Sequence, residues 1–286
     1  MASVASRLAE ARAQLIAAGL SPADAAFDAE VLARHLLDWD RAAVIIRARE
    51  PEPDGFPEAF ARLVARRAAR EPVALIVGRR EFWGLDFEIT PAVLIPRPET
   101  ELIVEEAIAF ARRSRVATVI DVGTGSGCLA VAIAHELPAV RVIATDTSAA
   151  ALAVARRNAE RNGVARRIEF READLLDGIG EAADLMVSNP PYVPGAQAAE
   201  LQPEVVRYEP HLALFGGPGG LEIVARLLAH APARLAAGGQ LVVEFGFGQH
   251  GEVARLAKTH GWRIVRVRSD LQSIPRIIVL SRTDHA

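Results

Sequence analysis

Apolar strands that alternate with helices are the feature that most limits the folds open to this chain. Four short runs read as strands, and helices ending near Leu137 and Asn162 separate the first three. Because these strand runs are almost continuously apolar, they are typical of strands covered on both faces. We therefore predict an α/β fold with a doubly wound, mostly parallel sheet. Its seven strands lie near residues 118–120, 140–144, 168–170, 185–187, 240–245, 262–267 and 276–280.

The first part of the chain has a different pattern. Residues 1–72 show apolar positions at helical spacing, and Ser21-Pro22 supplies an N-cap followed by a first-turn proline. Short apolar runs at 75–77 and 82–89, with glycines at 78 and 84, predict a β-hairpin. We thus predict three parts: a small all-α domain over 1–72, a hairpin linker over 73–92 and the α/β domain over 93–286.

Composition excludes several classes of protein. The 33 basic and 36 acidic residues leave a net charge of −3, which argues against a protein that blankets nucleic acid. No apolar run is long enough to predict a membrane span, and the N-terminus lacks a leader-like apolar stretch. The single cysteine, Cys128, fits a reducing compartment, so a cytoplasmic location is expected. The histidines show no metal-ligand spacing, so no metal site is predicted.

A glycine-rich loop supplies the first chemical signal. Asp121 precedes Gly123, Gly125 and Gly127, directly after the first strand of the α/β domain. A dinucleotide fingerprint would place glycine where Cys128 stands, so the loop departs from it. Asp121 would repel a pyrophosphate but could hold a cationic amino group, which favours a zwitterionic ligand.

Two later strand ends extend this signal. Asp146 lies 23 residues beyond Gly123, a suitable position to accept hydrogen bonds from ribose hydroxyls. Asp174-Leu175 could offer a carboxylate and an apolar wall to an adenine. Amino acid, ribose and base together describe S-adenosylmethionine, although a glycine turn without a ligand is the alternative. The predicted cofactor contacts are Gly123, Thr124, Gly125, Ser126, Gly127, Asp146, Asp174, Leu175 and Asn189.

The tetrapeptide Asn189-Pro190-Pro191-Tyr192 follows another strand end. We interpret it as a clamp for a planar NH2 group. The Asn189 side-chain oxygen and the Pro190 carbonyl would accept its two hydrogens, and the Tyr192 ring would pack on its plane. Asn189, Pro190 and Tyr192 are the predicted catalytic residues, and Asn189 to Tyr192 the predicted substrate contacts. An ordinary proline-rich turn is the alternative.

With these motifs the chain resembles the release factor glutamine methyltransferases along nearly its whole length. The shared segments are Glu81 to Gly84, Ile95 to Glu101, Asp121 to Gly127, Asn189 to Tyr192, Tyr208 to Pro210, Leu214 to Gly217 and Glu244 to Gly246. The resemblance implies a class I methyltransferase fold and transfer of methyl from S-adenosylmethionine to the glutamine amide of the Gly-Gly-Gln tripeptide of release factors. It also implies a role in translation termination and a helical domain that recognises the release factor. We expect a monomer that binds neither membranes nor, stably, nucleic acid.

Some residues depart from the family pattern or admit a plainer explanation. Gly219, Ser273 and Leu175 differ from the residues common in relatives, which bears on affinity more than on activity. The segment from Pro96 to Glu101 could be only a helix start, although the resemblance implies that it lines the cofactor site. Gly238-Gly239-Gln240 repeats the substrate tripeptide, but we interpret it as a turn between a helix and a strand.

Two other functions stay open at this point. One is methylation of an adenine amine in nucleic acid, because that amine fits the same clamp. It would call for a basic surface, yet residues 1–72 carry 10 arginines against 11 acidic residues. The other is an inactive cofactor-binding scaffold, against which the intact Asn189 to Tyr192 motif argues.

Overall fold

The computed structural model describes residues 2–283. Within them the chain forms two compact units. The first contains the residues up to 79 together with residues 202–208, and the second contains residues 80–201 and those from 209 onward. Residues 202–208, which the sequence places in the α/β domain, thus group with the helical unit.

The first unit is built from helices. They are α1 (Val4–Ala17), α2 (Pro22–Leu37), α3 (Arg41–Arg47), α4 (Phe56–Ala68), α5 (Val73–Val77) and α9 (Pro203–Tyr208). Its core packs Leu15, Leu32 and Phe60, which expose 3% of their surface or less. The predicted cap forms, since the Ser21 hydroxyl oxygen accepts a hydrogen bond from the backbone N–H of Asp24 at 3.1 Å.

Buried charges attach α9 to this unit. Arg67 of α4 is 6% exposed and lies 2.6 Å from Asp28 of α2, which is also buried. Glu204 of α9 accepts from Arg67 at 3.2 Å and from Arg70 at 2.6 Å. Because a buried guanidinium without its carboxylates would be costly, these pairs specify where α9 docks.

The prediction of a strand over residues 75–77 is wrong, because these residues belong to α5. The Pro72 carbonyl accepts hydrogen bonds from Leu75 and Ile76, and Gly78 ends the turn at a φ of +73°. Ile76 packs into the helical core. A short apolar run does not by itself distinguish strand from helix, and packing decided this one.

The hairpin itself is shorter than predicted. It comprises β1 (Arg79–Phe82) and β2 (Leu85–Glu88), joined at Trp83-Gly84. Both turn residues have positive φ, the geometry that matches the twist of a two-residue hairpin. Phe82 and Phe87 meet edge to face with ring centroids 6.1 Å apart.

The second unit contains the predicted sheet. Its strands are β3 (Thr118–Val122), β4 (Arg141–Asp146), β5 (Ile168–Glu172), β6 (Ala183–Ser188), β7 (Leu235–Glu244), β8 (Trp262–Ser269) and β9 (Pro275–Arg282). They lie in the order β5-β4-β3-β6-β7-β9-β8. The first five in this order are parallel, and β9 is antiparallel to both of its neighbours. The predicted class of fold is therefore confirmed.

Helices cover this sheet. They are α6 (Glu101–Ala111), α7 (Cys128–Glu136), α8 (Ala149–Arg161), α11 (Glu222–His230) and α12 (His250–Thr259). The same unit contains the short helix α10 (His211–Leu214). Consecutive residues of β3, such as Val119 and Ile120, are both fully buried. Since neighbouring side chains on a strand point to opposite faces, both faces of the central sheet are covered. Among residues 2–283, no helix has the length and hydropathy needed to cross a membrane.

The interpretation of Gly238-Gly239 as a turn between a helix and a strand is wrong in its placement. Both glycines lie inside β7, which begins at Leu235. The register against β6 shifts there, with Ala183 paired to Leu235 and Leu185 to Gln240. The glycines therefore form an irregularity within the strand, which carries the extra residues.

Candidate functional site

The predicted site residues leave the sheet at one edge. Val122 at the end of β3 pairs with Thr145 of β4 and with Ser188 of β6. Ser188 in turn pairs with Val243 of β7. The residues that follow these strand ends therefore start at the same level, at the carboxyl edge where open α/β sheets bind ligands.

The glycine loop turns its backbone outward and its hydroxyl side chains inward. Gly123 is exposed and Gly125 partly exposed, whereas Thr124 and Ser126 are buried. Gly123 and Gly125 have φ values of +73° and +55°, and a Cβ on either would meet no heavy atom within 4 Å. Glycine is needed here for the conformation, and it leaves the backbone open to a ligand.

The other members of the loop support it from behind. A Cβ on Gly127 would lie 3.0 Å from the Cβ of Ala155, so glycine lets the loop approach α8. The Ser126 carbonyl accepts a hydrogen bond from Asn158 at 2.9 Å. Cys128 is buried, and burial raises the pKa of its thiol to about 12. A thiol with that pKa packs rather than reacts near neutral pH.

Asp121 is fully buried beneath the loop. Its Oδ2 accepts hydrogen bonds from the Thr124 hydroxyl at 2.6 Å and the Ala130 backbone at 3.2 Å. Its Oδ1 has no hydrogen-bond partner among the residues that the structure describes. Burial raises the pKa of this carboxyl to about 7. A cationic ligand group nearby would relieve that cost, so Asp121 fits the amino group of S-adenosylmethionine.

Asp146 at the end of β4 is held by two backbone donors. Its Oδ2 accepts from Gly125 at 2.8 Å and its Oδ1 from Ser148 at 2.9 Å. Each oxygen retains a lone pair, so the carboxyl can also accept from two ribose hydroxyls. The carboxyl acceptors around the loop therefore fit the cofactor predicted from the sequence.

Asp174 and Leu175 follow β5 as predicted, but their side chains differ in setting. Asp174 is exposed and pairs with Arg226 of α11 at 2.8 Å. Leu175 is 9% exposed, has a φ of +54° and accepts a hydrogen bond on its carbonyl from the Thr145 hydroxyl. The positive φ turns the chain sharply at this strand end, where an adenine wall was predicted.

The clamp residues rest on two side chains that the sequence did not single out. Asn189 Nδ2 donates a hydrogen bond to the Thr100 hydroxyl oxygen at 3.0 Å. Thr100 donates to Glu244 Oε2 at 2.7 Å, and the Tyr192 hydroxyl donates to Glu244 Oε1 at 3.3 Å. Within residues 2–283 no hydrogen bond is made to Asn189 Oδ1 or to the Pro190 carbonyl oxygen. Both predicted acceptors therefore lack a partner within the described residues; Asn189 is partly exposed, whereas Pro190 is buried.

Backbone contacts fix the loop from Asn189 to Tyr192. Val193 donates to the Leu214 carbonyl and accepts from Gly216. A Cβ on Gly216 would lie 2.5 Å from the Pro191 carbonyl oxygen, so only glycine fits. The side chain of Gln249, the residue before α12, donates to the Tyr192 carbonyl at 2.8 Å. Together these contacts make the clamp rigid.

A buried carboxylate orders the segment that carries Thr100. Glu209 is 5% exposed and accepts hydrogen bonds from the Ile95 backbone at 3.1 Å and from Arg97 at 2.6 Å. A short 3-10 turn over Pro98–Thr100 then leads into α6. The helix start seen in the sequence is present, and the same segment also delivers Thr100 to the clamp.

Comparison with known proteins decides the family. The chain is 45% identical to the release factor glutamine methyltransferase of Cereibacter sphaeroides over 268 residues, which cover 93% of each protein. It belongs to the release factor glutamine methyltransferase family. The protein of that name from Geobacter sulfurreducens is 43% identical over 256 residues and 89% of each chain.

Family and structural matches agree with this membership. The PrmC N-terminal domain matches residues 7–78, and the methyltransferase small domain matches residues 100–210. Among solved structures, a ribosomal protein L11 methylase from Lactobacillus delbrueckii subsp. bulgaricus superposes with a TM-score of 0.50. That match is 24% identical and covers 65% of this chain and 80% of the other, so it concerns the fold. As a member of this family, the protein is an S-adenosylmethionine-dependent methyltransferase.

Sequence reasoning missed the side chains that support the site. Thr100, Glu209 and Glu244 appear in the segments that carry the resemblance, but nothing in their spacing assigned them contacts. One signal was available: Glu244 ends an apolar strand, as Asp146 does, and Asp121 lies one residue before a strand end. An acidic residue at the carboxyl end of a buried strand indicates a site, although it does not identify the partner.

Proposed function

We propose that this methyltransferase acts on the side-chain amide nitrogen of the glutamine in the Gly-Gly-Gln motif of peptide chain release factors. The relatives at 43–45% identity are named for release factor glutamine methylation. The observation that carries the proposal is a pair of acceptors that receive no hydrogen bond from the described residues, Asn189 Oδ1 and the Pro190 carbonyl oxygen. Their number equals that of the hydrogens on a carboxamide NH2 group.

An amide nitrogen requires positioning more than deprotonation. Its lone pair is conjugated with the carbonyl, so a side chain of ordinary pKa gains little by attacking its proton. Two acceptors on a rigid loop hold the nitrogen and direct its face toward the methyl donor. Good orientation lowers barriers by about 7–11 kcal/mol in intramolecular comparisons. Acceptors whose attraction grows as the nitrogen becomes positive add electrostatic stabilisation.

The cofactor supplies an electrophilic methyl group on a sulfonium. In our proposal Asp121 faces its amino group, the backbone of Gly123 and Gly125 lies along its amino-acid part, and Asp146 accepts from its ribose. Asp174 and Leu175 flank its base. Thr124, Ser126 and Gly127 complete the loop that contacts the cofactor, and Thr124 and Ser126 are themselves buried.

The proton balance is simple. The new nitrogen–carbon bond would replace the carbon–sulfur bond, whose electron pair would stay on sulfur. One amide proton would then pass from the nitrogen to solvent. Glu244 is only 2% exposed, and Thr100 lies between it and Asn189, so we assign it no role as general base. The clamp residues Asn189, Pro190 and Tyr192 then carry the reaction, and Pro191 keeps the loop extended.

We further propose the organisation around this chemistry. Residues 1–72, together with α5 and α9, form the domain that recognises the release factor. The hairpin within 73–92 is the linker, and 93–286 without α9 form the methyltransferase domain. The match of residues 7–78 to the PrmC N-terminal domain supports the first assignment. We also propose a monomer without stable nucleic acid binding, working in the cytoplasm where release factors act.

Transfer of a labelled methyl group tests the proposal. Purified protein and labelled S-adenosylmethionine are incubated with a release factor and with its Gly-Gly-Gln glutamine replaced by alanine. We expect label in the wild-type factor and none in the variant. Label in DNA or ribosomal RNA instead would favour an adenine methyltransferase, and no transfer to either would favour an inactive scaffold.

A further inference from the structure

Three side chains behind the clamp form one continuous hydrogen-bonded row. Asn189 follows β6, Thr100 precedes α6 and Glu244 ends β7. The two distances in the row are 3.0 Å and 2.7 Å. Thr100 and Glu244 are each 2% exposed, so water does not replace these contacts. We call this row the Asn189–Thr100–Glu244 relay.

The chemistry of the relay fixes the direction of its hydrogen bonds. An ionised carboxylate only accepts, so the Thr100 hydroxyl must give its single hydrogen to Glu244. The Thr100 oxygen can then only accept from Asn189, and the atom that faces it must be Nδ2. As a result Oδ1 is the atom left for a substrate NH2 group.

The opposite direction would disable the clamp. If Thr100 donated to Asn189, the amide would turn to present Nδ2, a donor, toward the substrate. Two NH2 groups facing each other form no hydrogen bond. The orientation of Asn189 therefore depends on a residue that lies two hydrogen bonds away.

We propose that Thr100 and Glu244 are positioning residues that hold Asn189 with Oδ1 toward the substrate amide. The inference deepens the function proposed above and rests on it. It also gives the Pro-Arg-Pro-Glu-Thr segment a purpose, because that segment brings Thr100 to the back of the clamp.

The surroundings of Glu244 make its charge conditional. Burial raises the pKa of its carboxyl to about 7, and Glu99 raises it further. Hydrogen bonds from Thr100 and Tyr192, and the positive charge of Arg276 on β9, act in the opposite direction. Cys128 of α7 is also near but is neutral, since the pKa of its thiol is about 12. A protonated Glu244 could donate a hydrogen bond to Thr100, and the donor and acceptor roles along the relay would then no longer be fixed.

Burial of this carboxylate is hard to explain by stability alone. A buried charge without a cationic partner in contact costs more than an apolar residue of similar size. Glu244 receives two hydroxyl hydrogen bonds but has no salt bridge among the described residues. An acceptor that cannot donate is what the relay requires.

The primary test compares Thr100→Val, which removes the hydroxyl, with Thr100→Ser, which keeps it. We expect Thr100→Val to lower kcat by about 10-fold to 100-fold, with the binding of S-adenosylmethionine unchanged. Thr100→Ser should recover most of the loss. Ser281→Ala is the matched control, because the buried hydroxyl of Ser281 on β9 has no hydrogen-bond partner among the described residues. Wild-type kcat in Thr100→Val would overturn the inference.

A double-mutant cycle asks whether Thr100 acts through Asn189. In the Asn189→Ala background, Thr100→Val should cause no further loss of kcat. A further loss equal to that in the wild-type background would overturn the inference, since Thr100 would then act independently of the clamp.

The pH profile tests Glu244. We expect the kcat of the wild type to rise with pH through about 7, as the carboxyl ionises. Glu244→Gln should lower kcat and remove that limb. Glu106→Gln is the control, because Glu106 is a buried carboxylate of α6 outside the relay, and it should keep the limb. The profile is measured at saturating S-adenosylmethionine, whose amino group would neutralise Asp121, and a limb that persists there in Glu244→Gln would contradict the proposal.

A readout without catalysis separates this inference from the proposed function. In the protein alone, the side-chain amide of Asn189 should give NMR signals that move in Thr100→Val and stay in Ser281→Ala. Signals unmoved by Thr100→Val would overturn the relay whatever the substrate is. Failure of wild-type transfer to a release factor would instead overturn the proposed function.

Discussion

Asn158 of α8 donates a hydrogen bond to the backbone carbonyl of Ser126, 2.9 Å away, from a fully buried position. The same side chain accepts from the Glu88 backbone N–H at 2.7 Å and donates to the Glu88 carbonyl at 3.1 Å. One carboxamide thus links the end of the hairpin to the glycine loop.

Replacement of Asn158 should weaken both the fold and the cofactor site. Asn158→Ala leaves three backbone groups without partners, and each such buried group costs about 1–3 kcal/mol. Allowing for water at the partly buried hairpin, we expect a loss of about 3 kcal/mol in the free energy of unfolding and weaker binding of S-adenosylmethionine. Urea unfolding and titration calorimetry measure the two effects.

Asn162 is the control for this change. It follows the end of α8, four residues after Asn158, and donates to the Asp86 carbonyl near the surface and to the Asn158 carbonyl at the helix end. Asn162→Ala should cost about 1 kcal/mol or less, because water replaces its partner. Equal losses in the two variants would show that the link from Asn158 to the loop is unimportant.

Glu209 should be more sensitive than other carboxylates that pair with arginine. Its side chain is 2% exposed, and it holds both Arg97 and the Ile95 backbone. Glu209→Ala leaves these donors without an acceptor, so we expect the free energy of unfolding to fall by about 3 kcal/mol. The loss is smaller than for a fully buried pair because Arg97 is partly exposed. Chemical denaturation measures it, and methyl transfer should fall because the segment bearing Thr100 loosens.

A surface ion pair serves as the comparison. Glu252 and Arg255 lie 3.4 Å apart on α12, with side chains more than half exposed. Glu252→Ala should change the free energy of unfolding by less than about 1 kcal/mol. A loss at Glu252 as large as that at Glu209 would contradict the importance assigned to burial.

Much of the fold could be predicted from the sequence because its helices and strands agree with local sequence preferences. The apolar strands, the Ser21 cap and the order of strands and helices each follow from nearest-neighbour chemistry. The run at 75–77 was misread because its helix is fixed by packing into the helical core. The grouping of α9 with the helical unit could not be predicted from the sequence either, because Glu204 pairs with Arg67 and Arg70, which lie more than 130 residues earlier in the chain.

The candidate site likewise contains residues that local motifs predict and residues that only long-range packing brings in. Motifs at strand ends predicted which residues gather at the carboxyl edge, because parallel strands end together. The supports of those motifs came from distant segments: Thr100 lies 89 positions from Asn189 and 144 from Glu244. Contacts between segments of this kind depend on the packing of α6 against the sheet, which a single sequence does not encode locally.

Asn189 itself should separate catalysis from binding. Asn189→Ala removes one of the two acceptors, and loss of a preorganised hydrogen-bond partner at a transition state costs about 2.7–4 kcal/mol in kcat. Cofactor affinity should change little, because Asp121 and Asp146 are untouched. Single-turnover methyl transfer and equilibrium binding of S-adenosylmethionine measure the two quantities. An unchanged kcat would remove Asn189 from the mechanism.

The stability of the free protein should fall as pH rises from about 4.5 to about 8. Burial raises the pKa values of Asp121 and Glu244 from their ordinary values to about 7. Between the unfolded and folded pKa values the folded state binds more protons, so stability is full below the lower value and is lost as pH approaches and passes the upper one.

Variants assign this pH dependence to its sources. Glu244→Gln should flatten part of the profile, leaving the part that belongs to Asp121, and the difference at pH 8 should be on the order of 2–3 kcal/mol. Urea unfolding from pH 4.5 to 8.5 measures it. S-adenosylmethionine, whose amino group would neutralise Asp121, should lessen the remaining slope. A profile that rises over this range would mean that neither carboxyl carries an uncompensated buried charge.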